Sequence, residues 1–276
     1  MIANKYKLHE KINEGCFGTV YKAENIRTNE YVAIKFELKS ENIKSLKNEA
    51  KILQYLGKTD GFPQLKTFGT IDKVNYLVTN LLGNSLSNTI NIYNQLPLKN
   101  TLLLGIQIIK RIKILHEKCL LHRDIKPSNF LFGNGNDTNK LFLIDFGFSK
   151  RYNHDGIHIE EKNIHKIVGS PNFVSLNIHN LIEPSRRDDI ESCIYVILTM
   201  LFGKLEWFNE TDINKIKNLK INIVTLEKLP SFIKNMLFYI RTLRFDEKPD
   251  YDYLINLIVH EFNSNFFEND RKFEWN

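Results

Sequence analysis

Three polar residues stand out in the otherwise apolar stretch LHRDIKPSNFLFGNGNDTNKLFLIDFG, residues 121–147: Asp124, Asn129 and Asp145. Two carboxylates and an amide oxygen are hard ligands. They suit magnesium, which takes one or two carboxylates together with substrate phosphates. Asn129 and Asp145 fit that metal role, and Asp124 is left to accept a proton from an incoming hydroxyl. The residues beside them predict how they are positioned. Phe130 to Phe132 and Leu141 to Ile144 read as short strands around a turn rich in Gly and Asn. Such a hairpin would bring the loop before it and the Asp145-Phe146-Gly147 after it together. The competing reading is that Asp and Asn in loops only form local turns.

His122-Arg123-Asp124, Asn129 five residues on, and then Asp145-Phe146-Gly147 resemble the signature of eukaryotic-type protein kinases. Within that superfamily the chain is similar to the casein kinase 1 group. Ser175-Leu176-Asn177 stands where most kinases carry Ala-Pro-Glu. The stretches SRRDDIES at 185–192 and LRFDEKPDY at 243–251 add to the likeness, which runs from about Tyr6 to Phe262. The resemblance implies an α+β, bilobal protein-kinase fold. Residues 1–80 would form an N-lobe of antiparallel β-sheet with one main helix. Residues 81–276 would hold the hinge, a mainly helical C-lobe and a short tail without the long regulatory extension of many members. ATP and Mg2+ are the implied cofactors.

Tyr6 to Asn13 and Thr19 to Ala23 read as strands around Glu14-Gly15-Cys16-Phe17-Gly18, a turn whose glycines would let backbone amides approach phosphate oxygens. On the residues alone such a loop is more often a plain hairpin turn. The kinase pattern puts a further glycine at Asn13, and asparagine is among the residues that best tolerate positive φ. Lys35 lies inside the β-rich run 31–36. Leu46, Glu49, Leu53 and Leu56 recur at helical spacing, so Glu49 shares an apolar helix face. A buried carboxylate needs a partner, and Lys35 is the natural one, although two unrelated surface charges would read the same. By resemblance the pair holds the nucleotide phosphates. The resemblance also assigns nucleotide contacts to Ile12, Asn13, Glu14, Gly15, Cys16, Phe17, Gly18, Thr19, Val20, Ala33, Lys35, Leu82, Leu131 and Ile144. Thr79 would stand at the gate behind the adenine, with Gly83 at the lobe boundary.

Lys126, two residues after Asp124, is where serine/threonine kinases carry a lysine that can contact the transferred phosphoryl group; the catalytic set is thus Asp124, Lys126, Lys35 and Glu49. His122 would be a packing residue. Between Ser149 and Ser170 the only hydroxyl is that of Tyr152, so activity without activation-loop phosphorylation is expected. Lys150, Arg151, Lys162 and Lys166 make this segment basic: either a solvated loop or a site for acidic or phosphorylated substrates, as casein kinase 1 enzymes favour. The family pattern Gly-Thr-Ala-Arg-Tyr-Ala-Ser appears as Gly169-Ser170-Pro171-Asn172-Phe173-Val174-Ser175, so Asn172 replaces the arginine that would read a priming phosphate. Lys215, Lys217 and Lys220 are candidates to supply part of that anion site. Asp189, at the start of the apolar helix through Ile190, Ile194, Ile197 and Leu201, is by resemblance the anchor of the catalytic loop; a local N-cap is the simpler alternative, and one carboxylate could do both.

The chain of 276 residues is long enough for a two-lobed domain, and its 42% hydrophobic share is ordinary. A net charge of +6 allows acidic partners, but no base-reading motif or long basic run accompanies it, so specific nucleic-acid binding is not expected. Cys16, Cys119 and Cys193 are odd in number and lack metal-ligand spacing, which fits a reducing compartment. MIANKYKLHE has no apolar core of a secretory signal, and the run 194–202 is too short to span a bilayer. A monomeric intracellular protein, cytoplasmic or nuclear, with protein substrates and no membrane partner is expected. A pseudokinase-like scaffold is the alternative; such chains usually lack one of Lys35, Glu49, Asp124, Asn129 and Asp145, and all five are here. With Asn13 in place of the kinase pattern's glycine, weaker nucleotide binding with the chemistry intact is expected, so Asn13→Gly should lower the Michaelis constant for ATP severalfold in steady-state assays; an unchanged constant would contradict this.

Overall fold

The computed structural model describes residues 1–15, 18–39, 45–268, 270 and 273. They form two compact units, Met1–Asn84 with Leu131–Ser149, and Ser85–Phe130 with Lys150–Asn276.

The first unit is built on strands β1 (Tyr6–Gly15), β2 (Gly18–Asn25) and β3 (Glu30–Leu38), helix α1 (Ser45–Leu56), and strands β4 (Leu65–Ile71) and β5 (Val74–Asn80). The sheet is antiparallel, in the order β1-β2-β3-β5-β4. The period-two alternation of β3 divides its side chains between two environments. Val32 and Ile34 enter an apolar cluster with Tyr6, Ala23, Tyr76 and Val78. Lys35 and Glu37 instead reach α1. Glu37 is buried, and its carboxylate oxygens accept the Leu46 N–H at 3.2 and 3.3 Å as well as the Ser45 hydroxyl. A carboxylate there meets N–H groups that have no partner within the helix and the positive end of its dipole. The four residues expected on the buried face of α1 are all buried, joined by Ala50 and Ile52. Gly18 has φ +119°, and a Cβ on it would collide with the Phe36 carbonyl, so the β1–β2 turn admits only glycine there.

The expected hairpin forms as β7 (Phe130–Phe132) paired with β8 (Leu141–Leu143). Most of it belongs to the sheet unit. Gly83 N–H donates to the Phe132 carbonyl at 2.8 Å, Phe132 N–H to the Asn84 carbonyl at 2.9 Å, and Leu143 N–H to the Gly61 carbonyl at 3.0 Å. These backbone bonds carry Asp145 into the unit that holds Lys35 and Glu49.

The second unit holds α2 (Leu86–Tyr93), α3 (Leu98–Glu117), β6 (Leu120–Leu121) paired with β9 (Lys150–Arg151), α4 (Leu176–His179), α5 (Arg186–Phe202), α6 (Ile213–Asn222), α7 (Ser231–Thr242) and α8 (Tyr251–Ser264). Helix α5 is buried without a break from Arg187 to Met200, as its all-round apolar pattern predicts. Helix α3 packs on α5 and α8. Its buried stripe passes through Gly105, and Ile106 is only half-buried. Ile197 and Ile258 close to 3.4 Å of where a Gly105 Cβ would stand, so the helices approach through the missing side chain.

Candidate active site

In the sheet unit, Lys35 Nζ lies 2.8 Å from Glu49 Oε2 and 3.0 Å from Asp145 Oδ1. Burial works against the lysine's charge, but the two carboxylates outweigh it and hold Lys35 above the ordinary lysine range. Burial lifts the Glu49 carboxyl, Lys35 pulls it down and the Asp145 charge adds to the rise. With one ammonium touching both acids, the charged form of Lys35 follows directly. One cation facing two carboxylates leaves a local excess of negative charge, which favours a further cation.

Asp145 sits at φ +66°, a left-handed conformation uncommon for a residue other than glycine. Helix α1 secures the chain after it. The Asn48 amide donates to the carbonyls of Phe146 at 3.3 Å, Gly147 at 3.2 Å and Ser149 at 3.0 Å. Phe146 is fully buried, its ring 6.0 Å from that of Phe62. Asn48 escaped the sequence reading; its one signal is its place next to Glu49 on α1. The residues assigned to nucleotide contact share this unit: Ile12 on β1, Val20 on β2, Ala33 on β3, Leu82 after β5, Leu131 on β7 and Ile144 after β8. All but the exposed Ile12 are half-buried, which leaves apolar surface uncovered. Asn13 and Glu14 pair with Val20 and Thr19, and Gly15 with Gly18. Cys16 and Phe17 lie outside the described residues. Asn13 does not adopt the left-handed conformation anticipated for it: it continues strand β1, and its Oδ1 accepts the Glu14 N–H at 2.9 Å.

In the helical unit, Asp124 is buried and Lys126 Nζ lies 2.8 Å from its Oδ2. The Ser170 hydroxyl donates to Asp124 Oδ1 at 2.8 Å, and Lys126 Nζ donates to Ser170 Oγ at 3.2 Å. Ser170 thus joins the site, a residue noted in the sequence only as part of a family pattern. Asn129 Nδ2 donates to the Asp124 carbonyl at 2.8 Å, which leaves its Oδ1 as the atom suited to a cation. A cavity of about 480 Å³ is lined by Lys126, Ser170, Pro171, Phe173, Ile213 and Ile216, among others.

Asp189 sets the backbone of this loop. Its Oδ2 accepts the His122 N–H at 2.7 Å and its Oδ1 the Arg123 N–H at 2.9 Å; His116 Nε2 stands 3.0 Å away. Burial pushes the carboxyl up, but the hydrogen bond and charge of His116, with the His122 amide, hold it below its ordinary value. The N-terminal turn of α5 is served by its neighbour: Asp188 accepts the Ser185 N–H at 2.7 Å, with Ser175 and Asn177 also donating to it. Burial lifts Asp188 to about 6. His122 is fully buried and its Nδ1 accepts the Asp124 N–H at 3.3 Å, a supporting place in the loop. Glu183, also buried, lies 2.6 Å from Lys150 and 3.8 Å from Arg123. The expected surface lysine Lys220 is wholly buried and points at loop carbonyls, so it is no part of an exposed anion site.

The family model described as protein kinase domain matches residues 6–258. The chain belongs to the protein kinase domain family, and with it come phosphotransfer to protein substrates and the general use of ATP and a divalent metal. Asn129 Oδ1 in the helical unit and the Asp145 carboxylate in the sheet unit are each oxygen donors of the kind a hard cation takes. Among the described residues no three His, Cys, Asp or Glu side chains gather to hold an ion, and a hard cation held by few protein oxygens plus phosphates needs no such gathering. Nor, among them, is any helix long and apolar enough to cross a membrane.

Replacing Asp189 with Asn turns one acceptor into a donor facing backbone N–H groups. Urea denaturation should show a loss on the order of 2 kcal/mol, the scale of a hydrogen bond to a charged group. Unchanged stability would mean that the loop does not depend on this anchor.

Proposed function

We propose that the chain is a catalytically active serine/threonine protein kinase of casein kinase 1 type. One observation carries the reading: Lys35 is paired with Glu49 at 2.8 Å, the strand-to-helix ion pair that a catalytic kinase must have in place, and Asp145 lies beside it at 3.0 Å. In this proposal Lys35 binds the nucleotide α- and β-phosphates, and Glu49 fixes its position. Asn129 and Asp145 would hold Mg2+, which would supply charge neutralisation at the phosphates. Asp124 accepts the proton of the acceptor hydroxyl. Lys126 steadies the transferred phosphoryl group, and a lysine two residues after Asp124 supports hydroxyls of Ser or Thr as acceptors. Catalysis of this kind is positioning and charge neutralisation, with turnover on the order of 1 to 100 per second.

Two features support activity without phosphorylation of the segment 150–170. Tyr152, its only hydroxyl before Ser170, is buried and donates to the His116 carbonyl at 2.7 Å. The buried Glu183 carboxylate already faces Arg123 and Lys150, an internal anion where other kinases recruit a phosphate. A preference for acidic substrates rests on the exposed Arg151, Lys162 and Lys166. Substrate reading by a primed phosphate has less support, since Asn172 offers no charge and Lys220 is buried. An intracellular, cytoplasmic or nuclear protein acting as a monomer remains part of the proposal.

The test is transfer of labelled γ-phosphate from ATP to casein by protein made in bacteria and stripped with phosphatase. Transfer should persist after phosphatase treatment and fall by at least about a hundredfold in Asp145→Ala, the scale of losing a group that stabilises the transition state. Phosphoamino-acid analysis should return phosphoserine and phosphothreonine. Equal transfer by wild type and Asp145→Ala would refute the assignment, and loss of activity on dephosphorylation would refute the self-sufficient segment.

A further inference from the structure

Lys220 on α6 is a buried charge that the proposed chemistry does not use. Its side chain is 0% exposed, and its three ammonium protons meet three acceptors: the Pro171 carbonyl at 2.8 Å, the Val174 carbonyl at 2.7 Å and His179 Nε2 at 3.2 Å. The ammonium lies 4.6 Å from the centre of the Tyr195 ring and 5.7 Å from that of Trp207. A desolvated ammonium costs several kcal/mol unless its partners are well placed, and an apolar side chain of similar volume would fill the space more cheaply. Stability alone therefore gives a weak reason for a lysine here.

What it grips is one short loop. Trp207 Nε1 donates to the Asn172 carbonyl at 2.9 Å, and the Ser175 hydroxyl is bonded to Asp188 at 2.6 Å. Residues 171, 172, 174 and 175 are thus each tied by a side-chain bond. At its start the loop carries Ser170, hydrogen-bonded to Asp124 and Lys126, and Pro171 and Phe173 line the 480 Å³ cavity.

We propose that Lys220 is a positioning residue of the transfer reaction: by gripping the carbonyls of Pro171 and Val174 it sets the loop that presents Ser170 to Asp124 and walls the acceptor cavity. The proposal rests on the kinase reading above. The groups around Lys220 make the grip sensitive to pH. They are His179 on α4, Glu191 and Tyr195 on α5, and Arg241 on α7. Glu191 accepts from Arg241 at 3.1 Å and from the Tyr195 hydroxyl at 2.7 Å, and Arg241 also donates to the Lys220 carbonyl at 2.9 Å. Burial brings Lys220 down to about 7, with Glu191 opposing and Arg241 assisting. Burial and the neighbouring ammonium bring His179 to about 4, so its ring stays neutral and can accept. As pH rises through 7, Lys220 keeps two protons for three acceptors and the grip weakens.

The experiment compares wild type, Lys220→Met and Trp207→Phe in steady-state kinetics with casein and ATP, between about pH 6 and 8.5, a window spanning the titration. Lys220→Met should raise the casein KM about tenfold, equivalent to ~1.4 kcal/mol, while the ATP KM stays within about twofold. The wild-type kcat/KM for casein should fall as pH climbs past 7, and Lys220→Met should lose that fall. Trp207→Phe keeps an aromatic ring beside Lys220 but removes the Asn172 bond and some buried ring volume; it should raise the casein KM more modestly, and it keeps the proposal testable if Lys220→Met does not fold. Amide hydrogen exchange in residues 170–175 should speed up in both variants, a readout that does not need activity. Casein KM and loop exchange unchanged in the variants, or a pH profile in Lys220→Met that matches wild type, would overturn the role of Lys220. Absence of phosphoryl transfer by wild type would instead strike the kinase reading, leaving loop exchange to judge the grip.

Discussion

A lysine ammonium buried beside two carboxylates is the constraint around which the sheet unit is arranged. Neither Glu49 nor Asp145 tolerates loss of water without a cation, and Lys35 supplies it at 2.8 and 3.0 Å. Meeting that requirement fixes α1 against β3, because Glu49 is presented from the middle of the helix. It also fixes the segment after β8, where Asp145 holds a left-handed backbone while bonded to Lys35. The Asn48 amide, one residue before Glu49, binds the carbonyls that follow. Two adjacent helix residues thus serve the site, Glu49 as a member of the triad and Asn48 as the support of the chain after Asp145.

In the helical unit buried charge is turned mostly on the main chain, as Glu37 does once in the sheet unit. Asp189 holds two backbone N–H groups, Asp188 holds one, and Lys220 holds two carbonyls. Hydrogen bonds between an ion and the main chain are stronger than neutral ones, and they constrain φ and ψ where a pair of side chains would constrain only itself. Irregular loops have no ladder to fix them. Charged side chains take the place of that ladder here, for the loop at 122–129 and again for the one at 170–175.

Legibility in the sequence followed the length scale of the interaction. The helical spacing of Leu46, Glu49, Leu53 and Leu56 identified both α1 and the burial of Glu49, since periodicity is a local property that the fold preserves. The all-round apolar run of α5 announced its burial in the same way. Asn48 and Ser170 were not legible as site residues, because their partners lie about 100 and 46 residues away and nothing in their neighbourhoods marks the pairing. Lys220 was misread as a surface cation for a similar reason. In INKIKNLKIN the lysines alternate with apolar residues, and only tertiary packing decides that Ile216 and Lys220 alone are buried. The short helices α2, α4 and α6 give too few turns for a stripe to stand out. Asp189 was legible as an anchor or a cap, and the choice turned on Asp188 beside it, whose carboxylate had already taken the Ser185 amide.

Strand β3 carries a consequence of its own. Lys35 holds the middle of α1 through Glu49, and Glu37, two residues on, holds Leu46 near its start. Their separation along an extended strand thus acts as a ruler for the helix. A one-residue insertion between Val32 and Ile34 would send Lys35 and Glu37 into the apolar cluster and turn Ile34 outward. That strand is therefore intolerant of changes in length, whereas the turn at residues 26–29 can absorb insertions with little disturbance to the helix.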